Sequence, residues 1–166
     1  MIAIDGRRVS IWILPLLFLL FGIGTGPALA QQAAPPAYEV WVIEQSDSSK
    51  DGGGTLYIYD GAALAADAKS AKAETFDLGG KFAEACKETG SHPKRPHMAL
   101  FTKDGKYAIL SYVASGHVVF IDAASRAPIG CVSLGKTAHA TFPTPNMKMA
   151  IGANIAEKKL VRVKTD

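Results

Sequence analysis

From Tyr38 onward, apolar and polar side chains alternate in short runs bounded by turn-favouring residues. Alternation with a period of two puts successive side chains on opposite faces of an extended chain, so it predicts half-buried antiparallel strands. The runs fall at 38–44, 55–60, 73–78, 99–102, 107–112, 117–122, 128–134, 140–142, 147–153 and 159–164. Between them stand Asp51-Gly52-Gly53-Gly54, Asp104-Gly105, Ser115-Gly116 and Pro145-Asn146, whose residues tolerate or pre-set turn dihedrals. Two stretches predict helix instead. Residues 62–72 are alanine-rich, and residues 81–89 place Phe82 and Cys86 on one face before Gly90 as a stop.

A repeat organises these strands. The shift that superposes His97 on His139 also superposes Thr102 on Thr144 and Asp104 on Asn146. The same shift places Lys106 on Lys148, Ala108 on Ala150, Val119 on Val161 and Ile121 on Val163. Matches at one shift without a gap are hard to obtain by chance in so short a segment. Upstream, Leu56 to Asp60 repeats Val118 to Asp122 at a longer shift, with an insertion expected over residues 80–96. One strand–turn–strand set per roughly 42 residues is the period of a four-stranded propeller blade. The expected fold class is therefore all-β, a β-propeller of four-stranded antiparallel blades over residues 38–166. About three blades are present, the last ending just after its third strand. An open fan leaves blade faces and strand edges uncovered, so the ring is expected to be incomplete and the chain a fragment of a longer protein.

Residues 1–30 stand apart from this globule. Arg7 and Arg8 precede a largely apolar stretch from Val9 to Ile23, followed by Gly26-Pro27 and the small-x-small site Ala28-Leu29-Ala30. That is the layout of a cleaved signal peptide, and the stretch is shorter than the roughly 20 residues of a membrane span. A retained anchor is the lesser reading. Export to the periplasm follows, with no stable membrane span after cleavage, and residues 31–37 read as a flexible leader. Without residues 1–30, sixteen basic side chains face fourteen acidic ones, too even a balance to argue for nucleic acid. In an oxidising compartment Cys86 and Cys131 could pair or remain two separate buried thiols; the spacing leaves both open. Neither lies in a C-x-x-C-H motif, which excludes the usual covalent attachment of c-type haem within this chain.

The stretch Arg95-Pro-His-Met-Ala-Leu-Phe-Thr-Lys-Asp-Gly-Lys-Tyr-Ala, followed by Gly116-His-Val-Val-Phe-Ile-Asp122, resembles a YVTN-type propeller blade. It is most similar to the cytochrome d1 haem domain and its relatives, and His139-Ala-Thr-Phe-Pro-Thr-Pro-Asn is a second copy. The resemblance implies a periplasmic propeller that binds haem d1 through histidines on one face, for electron transfer, nitrite-linked redox chemistry or haem maturation with a periplasmic redox partner. On this reading His97 and His139 sit near the mouth of the central channel, His97 as the iron ligand, and Lys94 and Arg95 pair with haem carboxylates. The competing reading is a cofactor-free YVTN propeller that scaffolds proteins or binds a small ligand, its blade-start histidines bonding neighbouring blades. His92 and His117 read as surface residues, and Asp60 and Asp122 as turn caps. Gly130 to Thr137 matches the P-loop pattern, but Pro143 and Pro145 deny the helix that would hold phosphate, so the match is rejected. Asp47 and Asp51 do not make a complete calcium set and read as a long hairpin loop.

Overall fold

A computed structural model describes residues 37–45 and 53–165. The expected signal peptide, most of the leader and the aspartates of the Asp47–Asp51 loop lie outside the described residues. Among the described residues the alternating runs become ten strands, all in antiparallel pairs. They are β1 (Glu39–Glu44), β2 (Thr55–Asp60), β3 (Ala73–Asp77), β4 (Pro96–Phe101), β5 (Tyr107–Tyr112), β6 (His117–Asp122), β7 (Pro128–Ser133), β8 (Thr141–Pro143), β9 (Met149–Asn154) and β10 (Lys159–Lys164). They form three sheets, ordered β1-β2-β3, β4-β5-β6-β7 and β8-β9-β10. This is a partial β-propeller of about three blades.

The repeat holds at the level of single hydrogen bonds. Thr102 Oγ1 donates to Asp104 Oδ1 at 2.7 Å, and Thr144 Oγ1 to Asn146 Oδ1 at 2.7 Å. Each threonine oxygen also accepts a backbone N–H, from Tyr107 at 3.1 Å and from Met149 at 3.2 Å. Each aspartate or asparagine accepts the N–H two residues on, from Lys106 and Lys148. These bonds fix the turn between the first and second strand of a blade, so the same polar letters recur because the same backbone donors need satisfying.

Blade one matches blade two from its second strand onward. Leu78 N–H donates to the carbonyl of Gly54, as Leu134 N–H does to Gly116, and both glycines have positive φ. Asp60 and Asp122 each accept the N–H three residues on, from Ala63 and Ser125, which is the capping role their position predicts. Blade one therefore shows the second to fourth strands, and blade three the first to third. The extra length of blade one falls in two places, a shorter part between Asp60 and Leu78 and a longer one between Leu78 and His97. The first holds helix α1 (Gly61–Ala66), shorter than the 62–72 stretch predicts because Asp67 turns the chain by bonding Lys69 N and Ser70 Oγ. The second holds helix α2 (Lys81–Ala85) and a 3-10 turn (Lys87–Thr89) ended by Gly90 at φ 76°.

The blades pack through alternating faces of one sheet. Ala108, Leu110 and Tyr112 of β5 and Val119 and Ile121 of β6 join Leu56 and Ile58 of β2, Leu78, Phe82 and Cys86 in one core. The intervening Ile109 and Val118 join Leu134, Ala138 and Ala150 in a second core against blade three. Burying a large apolar side chain contributes roughly 1.5–3 kcal/mol, so these two junctions carry most of the fold. Cys86 and Cys131 form a disulfide, which closes the alternative left open by spacing and clips the inserted helix onto β7.

Candidate functional site

His97 and His139 come together where the inner strands of blades two and three meet. His97 lies in β4, at a register shift between Pro96 and Met98. The bulge makes His97 the extra residue against its partner strand, and such bulges re-aim a side chain. His139 lies two residues before β8, its N–H bonded to the carbonyl of Ala153 at 3.0 Å. The two rings contact one another, with centroids 4.6 Å apart and planes tilted by 58°. Both residues are half-buried.

A third residue completes the group from blade one. Gln45, which follows β1, places Oε1 3.1 Å from His97 Nδ1. An amide oxygen only accepts, so it selects the tautomer with the proton on Nδ1 and the lone pair on Nε2. Burial lowers the pKa of His97 below its ordinary value, and the positive charges of His139 and Arg95 lower it further. The neutral, electron-donating form of the ring is therefore favoured near pH 7, the form that binds a metal. Sequence reasoning had no means of finding Gln45, which lies outside the repeat and far from His97 along the chain.

Lys94 and Arg95 stand just before β4, both exposed. Their backbone is pinned to blade two: Val113 N–H donates to the carbonyl of Arg95 at 2.9 Å, and Lys94 N–H to Ser115 Oγ at 2.8 Å. Arg95 holds φ 60°, a left-handed conformation uncommon outside glycine, which is kept by these bonds. Among the described residues no group of three or more histidine, cysteine or acidic side chains is arranged to hold a metal ion.

Two sequence expectations need correction or completion. His117 is not a surface residue; it is fully buried. Its Nε2 lies 2.8 Å from Thr89 Oγ1 and 3.3 Å from Ser91 Oγ, and its Nδ1 2.9 Å from Ser115 Oγ. The insertion folds over the start of β6 and covers it, a contact invisible to a repeat-based reading because blade three has no such insertion. Burial lowers the pKa of His117, opposed by the backbone at Ser91 and reinforced by the charge on His92. The P-loop match fails for the reason given by sequence. No helix follows; Thr137 Oγ1 donates to Asn154 Oδ1 at 3.1 Å, and Lys136 N–H to Glu157 Oε2 at 3.2 Å.

Comparison with known proteins bears on this geometry as follows. No family model matches the sequence, and no curated protein matches it either. Among solved structures, hydrazine synthase from Kuenenia stuttgartiensis is similar with a TM-score of 0.53 at 12% identity, over 76% of this chain and 41% of that one. A protein from Lactobacillus plantarum aligns with a TM-score of 0.40 at 17% identity, over 79% of this chain and 43% of its own. The likeness to hydrazine synthase is one of fold. The chain spans less than half the length of these structures.

Proposed function

We propose that these blades belong to a periplasmic haem-binding propeller of the cytochrome d1 kind, in which the imidazole of His97 would hold the haem iron. The observation that carries the reading is the Nδ1 contact of His97 with Gln45 Oε1 on a bulged inner strand. A metal-binding histidine characteristically has its second nitrogen held by such a partner, which fixes the ring and its tautomer. The residues present fit such a group: a neutral imidazole held at Nδ1 by Gln45 would ligate the iron, and Lys94 and Arg95, close in sequence, would meet its carboxylates. On this reading His139 supports the His97 ring through their contact rather than acting as a second ligand. Bound haem would supply one-electron chemistry; the chain's own residues bind it, orient it and limit its exposure.

The exported full chain, titrated with haem d1 and with protohaem as control, tests this directly. A new haem d1 absorption band should appear at one equivalent, shift or vanish in His97→Ala, and weaken in Gln45→Ala and His139→Ala. No band, or an unchanged band in His97→Ala, would sink the proposal. The second reading, a cofactor-free interaction scaffold, is favoured by the exposed apolar residues of blade three, Phe142 and Leu160.

A further inference from the structure

One fully buried histidine takes no part in the proposed haem site. His117 opens β6 beneath the insertion, and all its hydrogen-bond partners among the described residues are hydroxyls. Neighbouring carbonyls decide where the protons lie. Thr89 has one hydroxyl proton, and the carbonyl of Cys86, 2.6 Å away, takes it. The Thr89 oxygen is left to accept from His117 Nε2–H at 2.8 Å. Nδ1 then carries the lone pair, to which Ser115 Oγ donates at 2.9 Å. Ser115 Oγ in turn accepts the N–H of Lys94 at 2.8 Å. A continuous chain of bonds thus runs from Lys94 through Ser115, His117 and Thr89 to Cys86, complete with the ring neutral.

A proton added at Nδ1 breaks that chain. Ser115 can meet it only by turning its own proton toward the carbonyl of Lys94, at 3.4 Å near the limit of a hydrogen bond. The charge would be buried with hydroxyls rather than a carboxylate as its partners, which is costly. On the neighbouring strands stand Tyr112 of β5, which stays un-ionised, and Ser133 of β7, paired with His117 in register. From the insertion, His92 adds only positive charge, Lys87 is held by Glu84, and Glu88 is exposed.

Residues 87–95 cross this ring as a strap. At one end Cys86 is fixed to β7 by the disulfide; at the other, Arg95 is bonded to Val113 and leads into β4. In the middle Gly90 turns the chain at φ 76°, and Thr89 and Ser91 on either side of it hold the ring. We infer that residues 87–95 are an acid-released strap: protonation of His117 frees them from the start of β6, while the disulfide keeps them tethered and the blades stay folded. Release loosens Lys94 and Arg95, which lead into His97, so acid acts on the histidine site through the backbone. The inference stands whether or not haem binds. Burial, and then the charge on His92, hold the pKa of His117 below its ordinary 6.5, against the backbone at Ser91. With the strap open the ring regains that ordinary value, so closure is fully present above it and is lost as pH falls from it through the lowered value. Across that window the ratio of closed to open strap falls about tenfold per pH unit.

Hydrogen exchange on the intact, haem-free chain from pH 8 to pH 5, corrected for the intrinsic rate, tests this. Protection of the amides of residues 87–95 should fall about tenfold per pH unit within the window, while the amides of β5 stay protected. His117→Gln, which does not titrate, should abolish the dependence. Ser115→Ala removes the donor that favours the neutral ring, so it should move the release to higher pH. His97→Gln, outside the chain of bonds, should leave it unchanged. Protection of residues 87–95 that does not vary with pH overturns the inference, as does a release that persists unaltered in His117→Gln. Loss of β5 protection at the same pH overturns it too, since that is ordinary acid unfolding. Should His117→Gln not fold, Ser115→Ala decides: an unmoved release overturns the inference.

Discussion

The two junctions between blades share a repeat but are built from different materials. The junction of blades one and two is filled by Leu56, Ile58, Leu78, Phe82, Leu110 and Tyr112, and is stapled by Cys86–Cys131. Its rim adds an edge-to-face pair of Trp41 and Phe101 at 4.9 Å, with Arg126 over the indole and ion-paired to Glu39. At the junction of blades two and three, alanine and glycine replace several of the large side chains. Ala138 and Ala150 are in its core, and Leu134 presses on Gly152 so closely that a Cβ there would meet Leu134 Cδ1 at 2.1 Å. Polar bonds do more of the holding: Ser111 to Thr141 at 3.0 Å, and Asn154 to the carbonyl of Leu134 at 2.8 Å. The histidine pair lies at this second junction. Apolar mass and a covalent tie thus anchor one side of blade two, while the chemically versatile groups occupy the other.

The sharpest way to break the contrast is to remove the staple. In the chain-entropy account, closing a loop across a separation of 45 residues contributes about 4 kcal/mol. Replacing both Cys86 and Cys131 by serine should lower stability by about that amount in urea unfolding. Because Thr89 and Ser91 reach His117 through the same insertion, exchange protection near the start of β6 should fall too. If the loss were under about 1 kcal/mol, the disulfide would contribute far less than the chain-entropy account allows. The first junction would then be held by packing alone and the contrast would narrow.

The first junction was less legible in sequence than the second. The second obeys the repeat register on both sides, so Thr102 and Thr144, or Ala108 and Ala150, could be equated letter by letter. The first is built partly from the insertion between Leu78 and His97, which is much longer than the matching link between Leu134 and His139, so the burial of His117 and the pairing of the cysteines had no repeat to predict them. Strand positions were readable because period-two alternation survives insertion. The contact of His97 with His139 was half-readable: equivalence put both at inner strands, but only the bulge at His97 and the approach of Gln45 give the pair its geometry.

Acid should test the second junction with a smaller effect. The folded-state pKa of His97 is lowered by burial, by His139 and by Arg95, and that of His117 chiefly by burial. The unfolded chain therefore binds protons more readily than the folded one near the ordinary value of 6.5. Stability from these groups is present above that pH and is lost as pH falls from it through the lowered folded values. Urea midpoints at pH 8 and pH 5.5 should show the loss, and His97→Gln should reduce the difference while leaving the pH 8 midpoint nearly unchanged. An identical pH difference in His97→Gln would assign the acid sensitivity to His117 or to the carboxylates, and not to the histidine pair.

The smallest expected effect returns to the first junction and to an oddity in its apolar filling. Tyr112 is fully buried there, and its hydroxyl has no hydrogen-bond partner among the described residues. Burial pushes its pKa up, so it stays un-ionised at any ordinary pH. A hydroxyl taken from water without a partner costs about 1–3 kcal/mol, whereas its ring contributes as phenylalanine would. Tyr112→Phe should therefore leave stability unchanged or raise it by up to about 1 kcal/mol, with the same urea m-value. Leu110→Ala, in the same strand and the same core, should instead cost about 2–5 kcal/mol by leaving a cavity. If Tyr112→Phe lost more than about 1 kcal/mol, the hydroxyl would have to be held in the native protein. The first junction would then owe part of its strength to polar bonding, like the second.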